Sequence, residues 1–212
     1  MCKFLESIPW LTSIQTLAAT FTAYVAFTAL KTWKHQAKAQ RKTDFLDQLT
    51  DSVHDYIQSL SLPIEQLKFI YIGFESHKNL QPNSDQQNSH IIEYINSRGA
   101  NDGKQLLEAL AKSSDKVAKI ESLVARGQVY GFKNYNICQK SVMKLNLQQQ
   151  SLQFFASVIG TPSLNWEHPK AIAALENILT INASTISESL KVNNVNFIDF
   201  VKENYEIVYS GT

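Results

Sequence analysis

Five histidines, two cysteines and a lysine beside two glycines are the residues of this 212-residue chain whose types and spacing suggest chemistry. His90 and Glu93 lie one helical turn apart, close enough to share a metal ion. A di-metal carboxylate bundle needs Glu-x-x-His on two helices plus further inward glutamates. Here the order is reversed and occurs once, so the two read as a helix-surface pair. The stretch Gly99-Ala-Asn-Asp-Gly103-Lys104-Gln105 invites comparison with a phosphate-cradling loop. It is one residue short between the glycines, has Gln105 where Ser or Thr would meet magnesium, and follows a helix instead of a strand. An ordinary loop over 98–104 is the expectation.

The remaining candidates fare no better. His54 and Asp55 are neighbours and face different directions on a helix. His77 and His168 fall in or near loop-like stretches. A cysteine nucleophile needs a base within reach, whereas Cys138 sits on an apolar stripe and reads as a small core residue. Cys2 and Cys138 lie on opposite sides of an apolar segment and should not pair. Neither has a neighbour at metal-ligand spacing, which argues against a disulfide scaffold or structural zinc. Asn182-Ala183-Ser184 matches a glycosylation acceptor, without meaning in a cytoplasmic body. The expectation is a non-enzyme with no cofactor, no metal and no small-molecule substrate.

The elements that would position these residues are more legible. From Ile8 to Leu30 the chain carries no formal charge. As a helix, 23 such residues extend ~35 Å, enough to cross a hydrocarbon core of ~30 Å. Trp10 and Trp33 bracket the segment as interfacial aromatics do, and Pro9 stands where a helix tolerates it. A cleaved signal peptide would be shorter and end at small residues. A buried soluble helix is the rival suggested by Thr12, Ser13, Gln15, Thr16, Thr20, Thr22 and Thr28. No later stretch is long and uncharged enough for a second span. Ala18, Thr22 and Ala26 recur every four residues, the spacing of a helix-packing face in lipid. Threonine hydroxyls can also bond back to their own helix and need no partner.

Charge is distributed unevenly. Lys31, Lys34, Lys38, Arg41 and Lys42 follow the segment with no acid among residues 31–42. Only Lys3 and Glu6 carry side-chain charge before it. The positive-inside rule then puts residues 1–7 outside and the C-terminal body in the cytoplasm. The basic stretch has a second reading, attraction to anionic lipid head groups. Residues 43–212 hold 14 basic and 18 acidic side chains, a poor surface for nucleic acid, which needs basic groups against its phosphates.

Gly and Pro number only 7 and 5, and every apolar stripe has helical spacing, so the fold class is all-α. Phe45, Leu46, Leu49, Val53, Tyr56, Ile57 and Leu60 make one stripe, and the membrane helix should continue along it, ending before Pro63. Residues 64–80 are apolar on most sides and should form a central helix. Residues 81–88 read as a loop, with Ser89 capping a short helix. Leu106, Leu110, Val117, Ile120 and Val124 mark another helix in a seven-residue pattern, broken by Ser113. Cys138, Val142, Leu145, Leu152, Phe155 and Ile159 mark the next, broken by Gln149 and stopped by Gly160 and Pro162. Ser113 and Gln149 are expected at helix edges. A helix from Pro169 should carry Ile172, Leu175, Leu179, Ile186 and Leu190, and Asn194 should cap a final one. The organisation expected is 1–7 outside, 8–30 spanning, 31–62 basic and amphipathic, and 63–212 a cytoplasmic up-and-down bundle of five or six helices.

Trp33, Lys34, Gln36, the Leu46–Leu60 stripe and Pro63 resemble the start of the cytoplasmic part in a broad group of bacterial membrane proteins. These have one N-terminal span followed by a juxtamembrane helix. The resemblance covers about the first third of the chain. It implies a bacterial inner-membrane location and carries no activity or catalytic residues. Membrane lipid, and a protein partner or second copy, are the partners expected. The competing expectation is a membrane-perturbing effector of a phage-defence or toxin system, since some small membrane proteins of this organisation accompany such modules.

Overall fold

The structure, a computed structural model, describes residues 8–78 and 88–210. It is all-helical, with no strand among the described residues. The order is α1 (Ile8–Ser59), α2 (Ser61–Lys78), α3 (Ser89–Tyr94), a π-helical turn (Ile95–Gly99), α4 (Ala100–Gly127), a 3-10 turn (Gln128–Tyr130), α5 (Tyr135–Ile159), α6 (Pro169–Thr180) and α7 (Ala183–Ser210). Two compact units result: Met1–Phe45 with Tyr205–Thr212, and Leu46–Asn204. Residues 1–7, including Cys2, and most of the expected 81–88 loop lie outside the described residues.

In the Leu46–Asn204 unit, the apolar stripes of α1 and α5 are buried as their spacing dictates, apart from the half-buried Ile57, whereas Ile172 on α6 is exposed. Leu46, Leu49, Val53, Tyr56 and Leu60 are all buried. So are Cys138, Val142, Leu145, Leu152, Phe155 and Ile159 on α5. Tyr71, Phe74, Tyr94 and Phe155 form an aromatic cluster, with Phe74 and Tyr94 edge to face at 5.0 Å. A second groups Phe132, Tyr135 and Phe200. α1 ends at Ser59, three residues short of the expected Leu62. Pro63 then sits in the first turn of α2, where its missing N–H costs no helical bond.

Five expectations need correction. Residues 98–104 are helical, ending the π turn and opening α4. The glycines serve packing: a Cβ on Gly99 would collide with Ile159 O, and one on Gly103 would stand 2.7 Å from Ala156 O. Close approach of α5, not a turn, explains both residues. α2 is not central on all sides, since it buries Ile64, Leu67, Ile70 and Phe74 but leaves Phe69 and Ile72 exposed. Asn88, not Ser89, occupies the cap position of α3.

Ser113 and Gln149 are both buried instead of at helix edges. Ser113 Oγ donates to Leu110 O at 2.7 Å, so burial leaves it satisfied. Gln149 Oε1 has no hydrogen-bond partner among the described residues. Finally, the break lies at 181–182, and α7 runs through Asn194. Asn182 Oδ1 accepts from Thr185 N at 2.8 Å and from the hydroxyls of Ser184 and Thr185, a helix cap. Tyr71 OH secures the same break, donating to Ile181 O at 2.7 Å. Burial pushes that phenol up to about 12, so it remains a donor at any ordinary pH.

Candidate membrane interface

From Trp10 through Leu30, every described side chain in α1 is exposed or, at Thr28, half-exposed. Large apolar groups stand among them: Leu17 and Phe21 are 70% and 69% exposed. This is one helical stretch, among the described residues, that is long and apolar enough to cross a membrane by length and composition. Its apolar window has a mean hydropathy of 1.2 and is 0% buried. Each such side chain left in water forfeits roughly 1.5–3 kcal/mol of burial.

The polar residues inside the stretch largely satisfy themselves. Thr16, Thr20 and Thr22 hydroxyls each donate at 2.8 Å to the carbonyl four residues earlier. Thr28 reaches Val25 O at 2.9 Å. These bonds hide the hydroxyl from its surroundings, which lowers the cost of placing threonine in a low-dielectric medium.

At 100° per residue, Gln15, Ala18, Thr22, Ala26 and Ala29 share roughly 80° of arc. Leu17 and Tyr24 lie on the far side, together with Ser13 and Thr20. Trp10 and Trp33 are exposed at 58% and 65%, free to contact surrounding solvent or lipid. Beyond Leu30 the helix continues without interruption into the basic residues. Lys31, Lys34, Lys38 and Arg41 are exposed and Lys42 is half-exposed. Their spacing of three, four, three and one places all five within roughly 100° of arc.

The other candidates do not assemble. No group of three His, Cys, Asp or Glu side chains among the described residues could hold a metal ion. His90 is half-buried and Glu93 exposed on α3. Burial, with Lys78 nearby, lowers the His90 pKa. His54 is exposed on α1. His77 lies in the last turn of α2, 3.1 Å from Gly73 O. His168 caps α6, its Nδ1 accepting from Lys170 N at 3.1 Å. Burial pushes the Cys138 thiol up to about 12, which suppresses the thiolate.

One site escaped the sequence reading. A cleft of about 430 Å³ opens beside the π turn, lined by Gln66, Phe69, Tyr94, Arg98, Asp102 and Gln105 among others. Tyr94 OH donates to the Asp102 carboxylate. Gln66 Oε1 is buried there without a hydrogen-bond partner among the described residues. Nothing in the spacing of these residues announces the cleft, because the π turn that aims Arg98 is not a sequence periodicity. No protein-family model, no curated protein and no solved structure matches the chain.

Proposed function

We propose that this is a non-enzymatic, single-pass membrane protein of the bacterial inner membrane. Residues 8–30 span the bilayer, and the helical body lies on the cytoplasmic side as an up-and-down bundle. The body binds a protein partner or a second copy and so holds it at the membrane. The observation that supports this reading is a helical segment long and apolar enough to cross a membrane, its apolar window 0% buried. The five basic residues after it support the orientation. Expressed in bacterial cells, the full chain should stay with membranes through alkaline carbonate washing. A C-terminal tag should resist protease added to spheroplasts and be lost in inverted vesicles. Release by carbonate, or the opposite protease pattern, would sink the anchor or its direction respectively.

A second reading is favoured by the small face of Ala18, Thr22 and Ala26. In lipid, such a face lets helices approach closely, and Gln15 on the same side offers an interhelical hydrogen bond. On this reading the span self-associates and perturbs the membrane, as the effector of a phage-defence or toxin system. Expression should then collapse the membrane potential, and Ala18→Leu or Ala26→Leu should restore it. An unchanged potential at high expression rules the effector out.

A further inference from the structure

We infer that the basic stripe of α1 is a binding site for the phosphate groups of anionic phospholipids. The inference rests on the membrane reading above and goes beyond it by naming the lipid class. Orientation requires only a number of positive charges, whatever their angle around the helix. Here all five lie on one side, within roughly 100° of arc. Lys31, Lys34, Lys38 and Arg41 are exposed, and no ion pair joins them to an acid among the described residues. The first acid beyond them, Asp44, accepts from Gln40 Nε2 at 2.7 Å. A row of this kind presents ammonium and guanidinium donors to phosphate oxygens. A spanning helix tilted by ~20° also brings one side nearer the head groups than the other.

Distance makes the assignment specific. A basic side chain near an anionic surface is worth about five-fold in association. That attraction decays over a screening length of ~8 Å. With a rise of ~1.5 Å per residue, Lys31 and Lys34 fall within about 6 Å of the hydrocarbon edge after Leu30, and Arg41 and Lys42 lie more than about 15 Å away. Measured from head groups ~5 Å beyond that edge, the first two therefore supply roughly two thirds of the screened attraction, and the last two about a fifth. An acidic protein partner would show no such decline along the row.

The test reconstitutes the full chain in phosphatidylcholine bilayers. Spin-labelled phosphatidylglycerol or phosphatidylcholine is then compared by the fraction of label that the protein restrains. Phosphatidylglycerol should be restrained preferentially, and added salt should weaken the preference. Lys31→Gln with Lys34→Gln should remove most of it, whereas Arg41→Gln with Lys42→Gln should leave most of it. Equal restraint of both labels by the unaltered protein overturns the inference. A flat or reversed gradient overturns it in favour of an acidic protein partner. Loss of the preference to inorganic phosphate at matched ionic strength overturns it in favour of a free phosphate ligand. If neither label is restrained and carbonate strips the protein, the membrane reading fails too, a result distinct from equal restraint.

Discussion

Gly99 and Gly103 illustrate how a residue without a side chain can act through what it lacks. Replacing Gly103 by Ala gains about 1 kcal/mol of helix propensity. It also places a Cβ 2.7 Å from Ala156 O and 2.7 Å from the Gly160 Cα. Both obstacles are backbone, so neither can swing aside, and α4 must move off α5. Overpacking of this sort costs about 1–3 kcal/mol and should outweigh the propensity gain. Gly103→Ala is therefore expected to lower the unfolding midpoint in urea. A rise would mean the two helices do not approach so closely. Ser113 shows the same dependence on surroundings: its hydroxyl is paid for by Leu110 O, which is why a polar residue sits fully buried on α4.

At the scale of elements, the separation of α6 from α7 depends on two side chains. Asn182 caps α7 through the Thr185 amide, and Tyr71 from α2 donates to Ile181 O at the break. Without the cap, an orphan amide at the start of a 28-residue helix loses its acceptor. Asn182→Ala should cost about 1 kcal/mol, whereas Asn182→Asp should keep most of the stability. Equal loss in both variants would assign the effect to something other than capping. The turn before α5 is held in a comparable way. Asn204 Oδ1 accepts from Lys133 N at 2.8 Å while its Nδ2 donates to Lys133 O at 3.0 Å. Gly131 at φ 63 and Asn134 at φ 55 supply the left-handed backbone that turn needs.

For the molecule as a whole, pH acts through the same turn. Hydrogen bonds from Lys133 and Asn134 hold the Glu203 carboxyl below the usual carboxylate range. Its folded pKa is depressed, so the unfolded chain binds more protons in acid. The stabilisation is complete above the unfolded value of ~4.3 and is lost as pH falls through the lower folded one. Glu203→Gln should therefore melt slightly below the unaltered protein at neutral pH, and the two should converge in acid. A gap that persists below the carboxylate range would show that charge is not its source. The exposed site keeps the effect small.

The helical class, the stripe on α5 and the end of that helix at Gly160 were legible because period, glycine and proline are local properties of the chain. So was the apolar segment with its basic flank, since length and charge need no partner to be recognised. Four things required the folded chain. Whether Gly99 and Gly103 turn or pack depends on what stands opposite, here Ile159 and Ala156 on α5. Whether Asn182 or Asn194 caps depends on where the break falls, and Tyr71, more than 100 residues earlier, helps to hold it. Ser113 and Gln149 look equally out of place on their stripes, and only packing shows both buried, one satisfied and one not. The cleft beside the π turn joins residues of α2, the π turn and α4, a proximity created by long-range contacts and written in no single stretch of sequence.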